Sequence, residues 1–371
     1  MLLYLHIPFC HRVCPYCSFY KHTPGNTRIG DFILAIGAEA AWRKKHLTLS
    51  KEEEFTHPTS LYLGGGTPSM LSSKHLDTLF EKLRESFDFT KLEEITLEAN
   101  PATFDIKKAR LFKSLGVTRV SLGIQSFSTG VLKTLGREHS PEQASEAVRI
   151  LRQAEIGSIN IDLMFSIPGQ SLDDWRSTLS HAISLKPDHI SAYNLTYEED
   201  TAFFDSLQNG TYEENEDHDA DHYHLAEEML LASGFDHYET SNYAQPGHHS
   251  RHNQGYWEGS DYIGLGPSAV STLFGKRHKN IPDTALYIKQ VNTIGHALHE
   301  SEILTPAHRR IELIALGLRT TRGIPLHLLD PETLQKAQTL ACEKLLTIGK
   351  THLSLTQLGR PLVDPIAAEL I

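Results

Sequence analysis

Cys10, Cys14 and Cys17 form a C-x3-C-x2-C run, and they are the residues whose types and spacing speak most directly of chemistry. Thiolates ligate iron–sulfur clusters, and three of them can hold three irons of a 4Fe-4S cluster while the fourth iron stays open. A structural cluster or zinc takes four protein ligands, because an unfilled position exchanges with whatever small ligand is present. The other cysteine, Cys342, lies far away in a polar, helix-like stretch. The triad therefore reads as a site that binds something further, with a zinc loop or surface thiol cluster as the alternative. Disulfides fit poorly, since four cysteines in 371 residues without a signal peptide point to a reducing compartment.

Further polar residues punctuate apolar runs. Leu63-Gly64-Gly65-Gly66-Thr67-Pro68 combines three glycines, which let a backbone approach a ligand closely, with a proline that stiffens the exit; a plain tight turn is the alternative. Glu98, Gln125 and Asp162 each end an apolar stretch, and Arg137 follows in Leu-Gly-Arg-Glu-His. Such groups either satisfy neighbouring backbone or face a ligand. Carboxylates suit hydroxyl and ammonium groups, and a guanidinium suits a carboxylate. Beyond them stands His252-Asn253-Gln254-Gly255-Tyr256-Trp257, with His248 and His249 just ahead. Imidazole is an axial ligand of haem iron and aromatic rings give flat apolar contact with a porphyrin, although a histidine beside a tryptophan also serves packing.

These residues need a scaffold, and the pattern supplies one. Short apolar strands are expected at Leu2–Ile7, Ser60–Leu63, Glu94–Glu98, Val117–Ile124, Ser158–Met164 and His189–Leu195. They alternate with helices at Ile29–Lys45, Ser73–Ser86, Ile106–Leu115, Pro141–Ala154 and Leu172–Leu185. Gly116, Gly157 and Pro187 follow helices as stop signals. This βα rhythm predicts an α/β fold around a parallel sheet, with chemistry at the C-terminal strand ends. The acidic, histidine-rich run Glu213–His224 reads as the solvated start of a helix reaching Leu231, with metal binding as the alternative. Residues from about 305 onward, including Ile311–Leu318, Leu353–Leu355 and Gly359, read as a small helical domain ending in a hairpin-like or winged segment.

The cluster loop, with Tyr4-Leu-His6-Ile-Pro8-Phe9 before it and Tyr16 before its third cysteine, resembles the radical S-adenosylmethionine superfamily. Over roughly residues 1 to 280 it is similar to the HemN/HemW branch. The resemblance implies an open (β/α)6 partial barrel with a smaller, mostly helical C-terminal domain. It divides the chain into a core at 1–235, a segment carrying H-N-x-x-Y-W at 236–300, and a C-terminal domain at 301–371. It implies that Cys10, Cys14 and Cys17 hold a 4Fe-4S cluster whose open iron takes S-adenosylmethionine. Tyr4, Gly65 and Glu98, with Val270 nearby, correspond to a first S-adenosylmethionine site. Tyr16, Gly66, Thr67, Gln125, Arg137, Asp162 and Thr196 correspond to a second.

The H-N-x-x-Y-W string resembles the signature of HemW-type haem chaperones and makes His252 the expected haem ligand. The related HemN-type coproporphyrinogen dehydrogenases carry a further cysteine where this chain has Phe19, and a long N-terminal extension that is not expected here. Two functions follow. The favoured one is a haem carrier that delivers haem to an acceptor apoprotein, for instance a respiratory one, with peripheral membrane contact through that acceptor. The other is oxygen-independent coproporphyrinogen III dehydrogenation.

Composition agrees with a soluble, cytoplasmic expectation. Lys and Arg number 35 against 46 Asp and Glu, a formal charge of −11, which disfavours nucleic acid as a partner. No apolar run approaches the roughly 20 residues that span a bilayer.

Overall fold

Six parallel strands, β1 (Leu2–Ile7), β2 (Ser60–Gly65), β3 (Glu94–Ala99), β4 (Arg119–Gln125), β5 (Ser158–Phe165) and β6 (His189–Asn194), lie side by side in chain order. The computed structural model describes residues 1–49 and 56–371. Helices α1 (Ile29–Leu49), α2 (Ser73–Ser86), α3 (Ile106–Leu115), α4 (Thr129–Thr134), α5 (Pro141–Gln153) and α6 (Leu172–Ser184) fill the crossovers. They are followed by α7 (Ala202–Gln208) and α8 (Glu216–Ala232). Register aligns one strand face into polar rows, such as Tyr4–Tyr62–Thr96–Arg119–Ser158 and Glu98–Ser121–Asn160–His189. The opposite face, Leu3, Leu5, Leu61, Leu63, Leu97, Val120, Leu122 and Ile161, is buried against Phe32, Phe80, Phe112, Val148 and Trp175 of the helices. A strand that alternates in this way has helices on one side and a polar lumen on the other, which is how a partial barrel differs from a doubly wound sheet.

Residues 236–300 extend this same sheet on both flanks. The strands β7 (Asp236–Glu239) and β8 (Asn242–Ala244) add to β6. On the other side β9 (Tyr262–Leu265) pairs parallel to β1, and β10 (Val270–Leu273), β11 (Lys276–Asn280) and β12 (Leu298–Ile303) continue outward. Among the described residues the sheet has 12 strands with β12 and β7 at its edges, so the barrel stays open. Helix α9 (Arg251–Trp257) crosses the floor between the two flanks, and α10 (Thr284–Ile294) packs on α1.

The C-terminal region has its own apolar core of Ile314, Leu318, Ile324, Leu340, Leu346, Leu353 and Ile366. It consists of α11 (Pro306–Gly317), β13 (Ile324–Pro325), α12 (Pro331–Cys342), β14 (Leu346–Ile348), β15 (His352–Leu355) and α13 (Val363–Leu370); its three strands form an antiparallel sheet, and it ends in the helix α13 rather than in a hairpin.

Candidate functional site

The cluster loop is tied at both ends. Phe9 pairs with His22, with the Cys10 amide donating to the His22 carbonyl at 3.0 Å and the His22 amide to the Pro8 carbonyl at 2.8 Å. The glycine motif docks on the same stretch, the Gly66 amide donating to Ile7 and the Thr67 amide to Phe9, each at 2.8 Å. A Cβ on Gly66 would stand 2.6 Å from the Phe9 carbonyl oxygen, and one on Gly65, whose φ is +105°, would stand 2.6 Å from the His6 ring. The glycines are thus required by the protein's own packing against the end of β1, a steric reason that comes before any ligand.

Cys10, Cys14 and Cys17 are free and half-buried. The Thr67 hydroxyl donates to the Cys10 sulfur at 3.7 Å, an Arg137 Nη donates to the Cys14 sulfur at 3.6 Å, and Lys21 donates to the Cys17 carbonyl. Burial pushes the Cys10 and Cys17 thiols up, and the neighbouring cysteines add to it. Among the described residues no three His, Cys, Asp or Glu side chains close on a single ion position. A four-iron cluster takes one thiolate per iron and so accepts sulfurs spread more widely than one ion does. Phe19, at the position of the dehydrogenase cysteine, is 67% exposed.

Inside the lumen the second set converges. Tyr62 donates to one Glu98 oxygen at 2.8 Å and the Gly65 amide to the other at 3.1 Å. Burial pushes the Glu98 carboxyl up to about 7 against the Tyr62 hydrogen bond, which lowers it. The His6 Nε2–H donates to the Tyr20 carbonyl at 2.7 Å, so Nδ1 accepts from Tyr4 at 3.0 Å. Asp162 accepts from Ser121 at 3.0 Å and from Asn160 at 2.7 Å, and burial raises its carboxyl too.

At the end of β4, Gln125 has a left-handed φ of +70° beside a register shift, and Ser166 after β5 also has a left-handed φ, of +60°. Such backbone in non-glycine residues is costly and gathers at functional sites. Arg137 donates to the Gly123 carbonyl beside Gln125. Tyr16 joins a small apolar cluster with Phe203 and Leu195, and Thr196 is exposed just past β6. Val270 opens β10, which runs antiparallel to β9 and so begins at the cluster end of the sheet. Tyr62, Ser121 and Asn160 were not singled out in the sequence, and His6 only as part of the string before the cluster loop. Their signal is the lumen-facing alternation of polar residues along each strand.

His252 does not join this group. It lies at the opposite end, on α9, 1% exposed, with Nδ1 2.8 Å from the Ser60 hydroxyl and Nε2 buried without a partner. The Arg251 and His252 amides donate to Glu94, so a carboxylate on the first residue of β3 caps α9. Burial lowers the imidazole to about 3, so it is neutral. Tyr62 meets its ring in a tilted contact at 5.0 Å and Tyr256 meets it edge-on at 4.8 Å. His248 and His249 are about a third exposed.

An open parallel barrel carrying three free thiols after β1 and a triple glycine at the end of β2 is the architecture of radical S-adenosylmethionine proteins, and residues 4–182 match the Radical SAM superfamily. The chain belongs to that superfamily and, within it, to the HemW family. It is 34% identical to the heme chaperone HemW of Lactococcus lactis, over 86% of this chain and 82% of that one. It is 34% identical to the heme chaperone HemW of Mycobacterium tuberculosis over 100% and 94%. Coproporphyrinogen III oxidase (HemN) of Escherichia coli shares the fold at a TM-score of 0.85 and 23% identity, covering 100% of this chain and 89% of that one.

The family implies a 4Fe-4S cluster and S-adenosylmethionine, and the residues fit both. Three unbridged thiols share one loop with a guanidinium against one sulfur, and Arg137 Nε is buried without a partner beside them. Among the described residues no helix is long and apolar enough to cross a membrane.

Proposed function

We propose that this chain is a haem chaperone, which binds haem through His252 and passes it to an acceptor protein in the cytoplasm. One observation carries the reading: a buried, neutral imidazole whose Nε2 has no partner, within H-N-x-x-Y-W. Its Nδ1–H can donate to Ser60, which leaves a lone pair on Nε2; metal-bound histidines generally donate their second nitrogen in this way. The relatives named heme chaperones support the assignment. The acceptor is a haem-requiring apoprotein, such as a respiratory one, through which the carrier meets a membrane.

When bound, the cluster supplies one iron without a protein ligand, where S-adenosylmethionine is chelated. The chain does the rest. Cys10, Cys14 and Cys17 hold the irons, and Thr67 and Arg137 donate to two of those sulfurs. Tyr4, Gly65, Glu98 and Val270 line one S-adenosylmethionine position; Tyr16, Gly66, Thr67, Gln125, Arg137, Asp162 and Thr196 line another. Residues 1–235 form the cofactor core, 236–300 carry the haem segment, and 301–371 form the C-terminal domain.

The test is haem titration of the full chain, followed by its visible spectrum. His252→Ala should lose the ligand-dependent spectrum and keep the cluster, whereas His248→Ala and His249→Ala should keep both. In parallel, reconstituted anaerobic protein is given coproporphyrinogen III and a reductant. Formation of protoporphyrinogen would overturn the carrier reading in favour of the dehydrogenase.

A further inference from the structure

Two contact chains run through the lumen from the floor helix to the cofactor end. In the first, the His252 ring lies on Tyr62, Tyr62 donates to Glu98, and Glu98 accepts from the Gly65 amide. The second is made of hydrogen bonds whose direction is fixed by its ends. The Ser250 amide can only donate, and it does so to the Tyr238 hydroxyl oxygen at 3.1 Å. Tyr238 therefore donates to His189 Nε2 at 2.8 Å, His189 Nδ1–H donates to the Asn160 side-chain oxygen at 2.6 Å, and the Asn160 amide nitrogen donates to Asp162 at 2.7 Å. Every link points the same way, and aligned bonds polarise one another in a low-dielectric interior. Ser250 is also the N-cap of α9, accepting from the Asn253 amide. Both chains therefore depend on the seat of one seven-residue helix.

That seat has to change for haem to be bound. His252 Nε2 is buried, and α9 is held in place by Leu2 packed against Gly255 and by contact with α11. An iron reaches Nε2 only if α9 lifts from the floor, which removes the ring from Tyr62 and the Ser250 amide from Tyr238. Docked and lifted α9 are the two states that each ligand prefers differently, which is what coupling between sites requires.

We propose that haem binding at His252 and S-adenosylmethionine binding at the cluster end oppose one another, because only the docked α9 keeps Glu98 and Asp162 positioned through Tyr62 and Tyr238. This rests on His252 being the haem ligand. Haem loading then loosens the cofactor pocket, and the filled pocket holds α9 down and favours haem release. His252, Tyr62, Tyr238 and His189 act as positioning residues, since none of them touches either ligand's reacting atoms in the docked state. Linkage is reciprocal, so each ligand must weaken the other by the same factor.

The measurement uses cluster-reconstituted full-length protein. S-adenosylmethionine affinity is measured by calorimetry with and without one equivalent of haem, and haem affinity by its visible spectrum with and without saturating S-adenosylmethionine. Each should fall by about fivefold or more. In the Tyr62→Phe/Tyr238→Phe variant, which keeps both rings and loses both hydroxyls, the factor should approach one. Hydrogen exchange of the amides of residues 250–257 in the unaltered chain gives a readout independent of that variant's folding. It should slow with S-adenosylmethionine and quicken with haem.

His252→Phe, which retains a ring on Tyr62 but has no nitrogen for iron, separates the two ways of being wrong. If haem binds normally to His252→Phe, the ligand assignment fails and the linkage with it. If His252→Phe loses haem while haem leaves S-adenosylmethionine affinity unchanged or raised in the unaltered chain, the assignment stands and the linkage is overturned.

Discussion

The three loop cysteines differ from Cys342 in their surroundings as well as their spacing. Each sits half-buried on a loop closed by Phe9–His22 pairing, two of them with a donor on the sulfur, whereas Cys342 is exposed. Replacing Cys10, Cys14 or Cys17 with Ala is expected to abolish the 4Fe-4S absorbance, and Cys342→Ala to leave it intact; loss of the cluster in Cys342→Ala would contradict the assignment. Glu98 offers a test that needs no cofactor. Its folded value of about 7 lies above the ordinary 4.5, so between those pH values the folded chain holds a proton that the unfolded chain has released. Stability contributed at this position therefore falls as pH rises through that window. In Glu98→Gln the fall disappears, so the apoprotein's melting temperature should drop less from pH 4.5 to 7.5 than in the unaltered chain. Parallel curves would show that Glu98 titrates normally. Glu98 itself could be picked out in the sequence as a polar residue ending an apolar strand. Its partner Tyr62 could not, because the pairing follows from register across two strands.

Helices and strands of the βα repeats were legible to within one or two residues at most ends, since apolar periodicity and crossover length both act locally. The stops were legible for different reasons. Gly116 takes the left-handed cap expected of it at φ +95°, but ahead of Gly157 and Pro187 that turn is made by Glu155 and Lys186, at φ +60° and +52°. Helix α9 was the element whose role could not be read. Its sequence declares a histidine and two aromatics, yet nothing local says that it closes the barrel floor against the first residues of β2 and β3. Gly255, inside the string, records that placement: a Cβ there would stand 2.7 Å from Leu2. Ala normally gains about 1 kcal/mol over Gly within a helix, but overpacking costs about 1–3 kcal/mol. Gly255→Ala should therefore destabilise the chain or lift α9, measured as a lower melting temperature together with faster amide exchange at 250–257. A stabilised variant would mean that α9 is seated more loosely than the structure shows.

Over the whole molecule, the sheet grows past its six parallel strands by residues 236–300, and the C-terminal domain docks on that addition. Neither was visible in the sequence, because strands of three to six residues carry little periodicity and docking residues are chosen by surfaces far apart in the chain. Glu227 of α8 is the hinge of this docking. It is 1% exposed and accepts from Gln357 and Arg360, each at 2.8 Å and both from the C-terminal domain, with His237 Nδ1 lying 3.1 Å away. Burial alone would raise this carboxyl, yet these partners hold it down at about 2. A depressed carboxyl stabilises the docked form above its ordinary value near 4.5, and that stability is lost as pH falls toward 2. Removing Arg360 leaves a buried carboxylate with fewer partners, a loss of about 1–3 kcal/mol, and moves the acid transition to higher pH. Limited proteolysis of Arg360→Ala from pH 7 to pH 3 should release the C-terminal domain at a pH where the unaltered chain stays intact. The cluster loop, tied by β1 and the glycine motif at the far end of the lumen, should keep its thiols protected at that pH. Release at the same pH in both proteins would show that apolar contact between α11 and α9, rather than the Glu227 ion cluster, holds the two parts together.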